Sequence, residues 1–172
     1  MGDVTTLRRV TEKDWARLRA VRLEMLADAP TAYLETLADA RARGEAEWRF
    51  RARRGADGQE NFAVAASDPA GGERWVAYMA CFVDAPGRAH LVSVYVAPGQ
   101  RGTGLAERMV VEVCRWARDD VGANRMHLYV HEDNARARSF YRRLGFTETG
   151  GTMPYDLDPT KLEIEMEISL TG

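Results

Sequence analysis

The residues best suited to chemistry lie in two short segments. The first is Leu91-Val92-Ser93-Val94-Tyr95-Val96-Ala97-Pro98-Gly99-Gln100-Arg101-Gly102-Thr103-Gly104-Leu105-Ala106, an apolar stretch that passes through glycines into a helical one. A helix N-terminus presents unpaired backbone N–H groups and a partial positive charge, and small residues at 102, 104 and 106 let a pyrophosphate approach that backbone. Arg101 adds a mobile counter-charge. A lone Gly-x-Gly also serves as an ordinary strand-to-helix turn that needs glycine for its dihedrals. Two nucleotide motifs are excluded: Glu107 stands where the third glycine of a dinucleotide fingerprint belongs, and no Gly-Lys-Ser/Thr ending marks a P-loop.

The second segment runs from Asn134 to Phe146. Asn134 is a good N-cap, Ala137, Phe140 and Leu144 form an apolar helical stripe, and Gly145 suits a C-cap. Tyr141 is left over, a phenol able to give a proton and regain it. Possible proton acceptors by type are His90, His131 and Glu132, each of which also serves as a surface or capping residue. No metal is expected, because His90, His127 and His131 come from two segments and the 127/131 spacing falls in a strand. Cys81 and Cys114 sit in apolar stretches and read as small buried hydrophobes of a reducing compartment.

The elements that position these residues follow from periodicity. A strand near Thr5 to Val10 precedes Thr11-Glu12-Lys13-Asp14, a capping box with Asp in place of Glu. A helix carrying Trp15, Leu18, Val21, Leu23, Met25 and Leu26 ends at Asp28-Ala29-Pro30. A second helical region follows in two pieces, Thr31 to Ala40 and Glu45 to Arg54. Strands are expected over Phe62 to Ala66, Trp75 to Val83 and Leu91 to Val96, separated by Pro- and Gly-rich turns. A helix from Gly104 to Asp120 carries Leu105, Met109, Val110, Val113, Trp116 and Ala117 on one face. A strand at Arg125 to Val130, a helix at Ala135 to Leu144, and strands near Phe146 to Thr149 and Leu162 to Leu170 complete the order. The expected fold is mixed α/β: a mostly antiparallel central sheet of about seven strands flanked by about four helices, in one domain over residues 1–172.

The chain has 172 residues, 45% hydrophobic and 29% charged, with a formal charge of −2. It can bury a core without disulfides or metal, and its balance does not call for nucleic acid. Arginines 49, 51, 53 and 54 read as a solvated helix end, with Glu45, Glu47, Asp57 and Glu60 around them. The longest apolar run, Trp75 to Val83, is too short to span a membrane, and no signal peptide is present, which points to the cytoplasm. Met1 to Thr6 formally fits a myristoylation pattern but lacks a polybasic second anchor. Lys13 and Lys161 are the only lysines among 24 basic residues, a bias that points to a bacterial source.

Together the two segments resemble the GCN5-related N-acetyltransferase family. Arg101, Gly104 and Ala106 match its Arg/Gln-x-x-Gly-x-Gly/Ala loop. Asn134, Ala137, Phe140, Tyr141, Gly145 and Phe146 match its Asn-x-x-Ala-x-x-Phe-Tyr-x-x-x-Gly-Phe helix. The resemblance implies acetyl-coenzyme A as donor. Val94, Tyr95 and Val96 would run along the pantetheine arm, Arg101, Gly102, Thr103, Gly104, Leu105 and Ala106 would cradle the pyrophosphate, and Asn134, Ala137, Phe140 and Tyr141 would lie along the arm. Tyr141 would be general acid to the leaving thiolate. The strand around Ser93 lacks the carboxylate base of many relatives, so the base stays open among His90, His131, Glu132 and water.

In that family the first two helices and the late loop between the last two strands build the acceptor site, which here means Met25 to Leu37 and Thr152 to Pro159. Tyr33, Glu35, Ser93 and Tyr155 are the expected lining. Asp156, Asp158, Glu163, Glu165 and Glu167 could steer a cationic amine, though they also fit the solvated face of an edge strand. The expected acceptor is a small cationic amine such as an aminoglycoside-type antibiotic or a polyamine, since some relatives inactivate amino antibiotics. The alternatives are a protein N-terminus or lysine as acceptor, and a non-catalytic acyl-coenzyme A sensor. Oligomeric state is left open, a homodimer included.

Overall fold

The computed structural model describes residues 5–172, so Met1 to Val4, on which the myristoylation pattern turns, lie outside it. Seven strands, β1 (Leu7–Arg9), β2 (Asn61–Ser67), β3 (Trp75–Ala85), β4 (Arg88–Val96), β5 (Arg125–His131), β6 (Thr147–Tyr155) and β7 (Asp158–Ser169), form one sheet in the order β1-β2-β3-β4-β5-β7-β6. Every pair is antiparallel except β4 with β5. Five α-helices accompany it: α1 (Trp15–Asp28), α2 (Leu37–Ala42), α3 (Glu45–Gly55), α4 (Leu105–Arg115) and α5 (Ala135–Arg143). Among the described residues no helix is long and apolar enough to cross a membrane.

Local chemistry accounts for most boundaries. Asp14 accepts from Thr11 N and Oγ1 at 2.8 and 2.9 Å, forming the expected capping box, and two arginines neutralise it, Arg8 at 2.5 Å and Arg17 at 2.9 Å. The expected stripe of α4 is buried, with Trp116 stacked on Phe62 at 5.2 Å. Such burial of large apolar side chains drives this layer onto the sheet.

Two expectations are corrected. Thr31 to Ala40 is not a helix: after a single 3₁₀ turn at Pro30–Ala32 the chain extends, and α2 starts at Leu37 behind the cap Thr36. Tertiary bonds override local propensity here, because Tyr33 Oη donates to the Val94 carbonyl at 2.9 Å and Glu35 is drawn into a group of arginines. The late loop Thr152 to Pro159 is mostly strand, since Tyr155 pairs with Asp158 and only Asp156 and Leu157 make the turn. β7 is therefore an inner strand, and β6 takes the edge.

Two irregularities shape the sheet. β4 and β5 are paired only at Arg88/Arg125, Ala89/Met126 and His90/His127. Beyond that point they diverge. In β4 the register against β3 slips between Ala80/Val92 and Tyr78/Tyr95, which inserts an extra residue, and Ser93 takes φ 55°. This is a bulge, and it leaves backbone of its extra residue outside the ladder.

Candidate active site

The divergence of β4 from β5 opens a cleft of about 760 Å³. Its walls are Ser93 to Val96 of β4 and Leu128 to His131 of β5, its far side is α5, and its mouth is the turn before α4. Of the expected donor-site residues, Val94, Tyr95, Val96, Arg101, Gly102, Gly104, Ala106, Asn134, Ala137, Phe140 and Tyr141 all line it.

The mouth suits an anion. Gly102 and Gly104 have φ of +77° and +83°, and a Cβ at either would meet no protein atom within 4 Å. Gly104 caps α4 without a side chain, so the first N–H groups of that helix face outward unclaimed by any cap. Two expected residues stand elsewhere: Leu105 is 2% exposed in the core because the helical stripe turns it inward, and Thr103 Oγ1 donates to the Gln100 carbonyl at 2.7 Å within the turn. Arg101 is not a mobile counter-charge here, since its guanidinium holds Asp28 and its Nε donates to the Val96 carbonyl at 3.0 Å. The carbonyls of Val94 and Val96 thus each carry one internal bond, with a second lone pair left.

Tyr141 is nearly buried in this cleft, and its hydroxyl has no hydrogen bond to a described residue. Burial, and then the neighbouring Tyr33, push the phenol well above its ordinary range, so it keeps its proton at neutral pH. Asn134 Oδ1 accepts from Ala137 N at 3.1 Å, the N-cap role read from the sequence.

The acceptor-side expectations divide. Tyr33 and Ser93 line the cleft. Tyr155 does not: it is 3% exposed and donates from Oη to the Tyr33 carbonyl at 2.9 Å, bracing the α1–α2 segment against the β6–β7 hairpin. Glu35 lines a second cavity of about 430 Å³, which meets the first at Val92 and Ser93. There it accepts from Arg22 Nε at 3.0 Å, Arg43 Nε at 2.5 Å and both Nη of Arg51 at 3.1 Å. Burial raises the Glu35 carboxyl, but hydrogen bonds from Arg51, Arg43 and Arg22 outweigh it and hold the group at about 2. Arg22 Nη1 also donates to Ser93 Oγ at 3.3 Å. The α3 arginines are only partly a solvated helix end: Arg49 and Arg53 pair outside with Glu45 and Glu12, while Arg51 and Arg54 line the cavity.

Among the proton acceptors, Glu132 is spent on the Leu162 N–H at 2.9 Å and does not line the cleft. His131 does line it, but its Nδ1 accepts from Asp133 N at 3.2 Å, which puts the neutral ring's proton on Nε2. His90 packs on His127 at 4.4 Å outside both cavities, and burial, then His127, lower it to about 4. Strand register does what sequence spacing hid: Asp84, His90 and His127 offer ligand-type atoms within 4.8 Å of one another. His127 Nε2 lies 2.6 Å from Asp84 and Nδ1 3.1 Å from Glu165, and Tyr129 also donates to Glu165. The alternation His127-x-Tyr129-x-His131 opposite Glu163-x-Glu165-x-Glu167 was the available signal, since period two puts all six on one face.

Comparison with known proteins agrees with this geometry. A family model described as "Acetyltransferase (GNAT) family" matches residues 20–146. A mycothiol acetyltransferase of Salinispora tropica is 32% identical over 144 residues, 80% of this chain and 43% of the relative, so the chain spans less than half the length of the curated relatives it matches. A GNAT-family acetyltransferase from Streptococcus pneumoniae superposes with TM-score 0.79 at 16% identity over 95% of this chain and 98% of that one. Spermidine N-acetyltransferase from Vibrio cholerae, solved with coenzyme A and spermine, gives 0.72 at 14% identity over 96% and 95%. These two likenesses concern the fold.

Proposed function

The chain belongs to the GNAT acetyltransferase family, and from that premise we propose that it is an acetyl-coenzyme A-dependent N-acetyltransferase of the cytoplasm acting on a primary amine of a small molecule. The observation that carries this reading is the β4/β5 cleft with an open glycine mouth at the α4 N-terminus and the unpartnered Tyr141 hydroxyl inside it.

When bound, acetyl-coenzyme A supplies an acetyl thioester. Gly102, Gly104 and the first N–H groups of α4 take its pyrophosphate, and Val94 and Val96 hold its arm by backbone bonds. The bulge at Ser93 gives an N–H group for oxygen charge developing at the acetyl carbonyl. Tyr141 keeps a proton at Oη and presents it to the leaving sulfur. Of the cleft's proton acceptors, His131 Nδ1 is occupied, Asp28 is paired with Arg101, and Glu107 stands on the first turn of α4, so in this reading the ammonium gives its proton to water. The expected polycation, an aminoglycoside-type amine or a polyamine, rests on relatives that inactivate amino antibiotics and on the acidic residues between Asp156 and Glu167; of these Glu163 is nearly buried, and burial, then Asp156, raise its carboxyl.

Coenzyme A thiol release from acetyl-coenzyme A, measured against small amines with acetyl-coenzyme A binding followed by calorimetry, tests the proposal. Release above background hydrolysis with an amine supports it. Tight binding without release from any amine supports a sensor instead, and absence of binding refutes the assignment of the cleft.

A further inference from the structure

The second cavity is the unexplained part of the molecule. Four arginines, Arg22, Arg43, Arg51 and Arg54, line it with one carboxylate, Glu35. Glu47 takes Arg51 Nε from outside the lining, which still leaves two guanidinium charges without a carboxylate. Arg54 has no ion-pair partner among the described residues; it rests over the Phe50 ring. The nearest acid of the sheet beyond Phe82 adds no spare negative charge, because Asp84 is held by Arg88 and His127.

A second observation concerns how the cavity holds its arginines. Trp48 lines the same cavity, is 1% exposed, and its ring lies under the Arg51 guanidinium at 5.1 Å. Surplus guanidinium groups in such a cavity are a recognition set for a carboxylate-like anion, and guanidinium forks fit such planar oxygens well. Position links the cavity to the reaction, since Val92 and Ser93 border both cavities and Arg22 touches Ser93 Oγ.

We propose that the acceptor carries an acidic group beside its amine, in the class of amino acids, and that Arg22 and Arg54 bind that group while the amine reaches the acetyl at Ser93. This rests on the acetyltransferase reading. Leu18, Phe82 and Val92 make part of the wall apolar beside Asn61 and Tyr78, which suits an amino acid with an apolar or aromatic side chain. Sulfonates and phosphates share the chemistry and form separate arms of the test.

The experiment measures thiol release with pairs that differ only in the acid: phenylalanine against phenethylamine and leucine against isopentylamine, with taurine, phosphoethanolamine and spermidine alongside. The carboxylate member is expected to have kcat/KM at least about tenfold higher, the worth of one charge-assisted hydrogen bond. Arg54→Gln, an exposed position, and Arg22→Gln should each raise KM for the acid about tenfold, a larger loss than for phenethylamine, with Arg22→Lys restoring part of the loss for the acid. Preference for taurine or phosphoethanolamine keeps the anion pocket and changes the anion. Equal or better turnover of decarboxylated amines or spermidine overturns the proposal, as does an equal loss for both members of a pair. If no amine is turned over, the acetyltransferase reading fails, and the pocket is judged by calorimetry with N-acetylphenylalanine and N-acetylphenethylamine. Tighter binding of the acid then supports it, and equal or absent binding overturns it.

Discussion

Replacing Glu35 by Gln tests the organisation of the arginine cavity. The side chain is 8% exposed and accepts from three guanidinium groups. A carboxyl held at about 2 instead of 4.5 contributes at most about 3 kcal/mol at neutral pH, since each tenfold change in proton affinity is worth about 1.4 kcal/mol. Arg43 and Arg51 are 37% and 21% exposed, and solvent screening of their share brings the expected loss to about 2 kcal/mol. For a protein of this size that is a fall in Tm of roughly 4–8 °C. The folded-state value is depressed, so the stabilisation is complete above 4.5 and is lost as pH falls through about 2. The gap between wild type and Glu35→Gln, read from urea unfolding at pH 7 and pH 3, should therefore narrow on acidification. A variant as stable as wild type at pH 7, or a gap that does not change with pH, would refute the reasoning.

Tyr141→Phe should lower kcat about a hundredfold with coenzyme A affinity nearly unchanged, as for loss of a proton donor; unchanged kcat removes Tyr141 from that role. Gly104→Ala should weaken coenzyme A binding more than tenfold in calorimetry, because a Cβ there meets no protein atom and stands in the cleft mouth. Its cost to folding should be about 1 kcal/mol from the positive φ. Ser93→Val should cost about 1–3 kcal/mol in urea unfolding, since a β-branched residue is forced to φ 55°; a neutral effect means the bulge relaxes.

The fold was legible where one local signal decides an element. Asn134, Gly104 and the α4 stripe fixed their helices because capping, turn conformation and amphipathicity agreed there. What escaped reading was set by pairing across the chain. Tyr33 and Glu35 are extended because their partners are Val94 and three arginines of other elements. Likewise Arg51 and Arg54 looked like surface charge, since nothing in α3 alone shows that its Trp48 side faces a cavity shared with β4. The glycine-mouthed cleft is lined by two short contiguous patterns; the arginine cavity is assembled from α1, α3, β3 and β4, and only packing discloses it.

The same packing bears on the order of chemical events. A covalent acetyl-enzyme needs a nucleophile in the cleft with a base to activate it. Cys81 is 2% exposed and burial raises its thiol, and burial pushes Cys114 up to about 11, so neither is a thiolate at neutral pH. Among the described residues Ser93 Oγ has only Arg22 as a partner, a donor that cannot take its proton. Tyr141 keeps its own proton. The two cavities share Val92 and Ser93 in their linings, so under the proposed reading donor and amine would reach one point from two sides, and direct transfer with both bound is the expected order. Steady-state rates against both substrates should give intersecting double-reciprocal lines, and protein mixed with labelled acetyl-coenzyme A alone should retain no acetyl mass. Parallel lines, or a stable acetyl adduct on Ser93 or either cysteine, would show that the cleft activates a nucleophile that its hydrogen bonds do not account for.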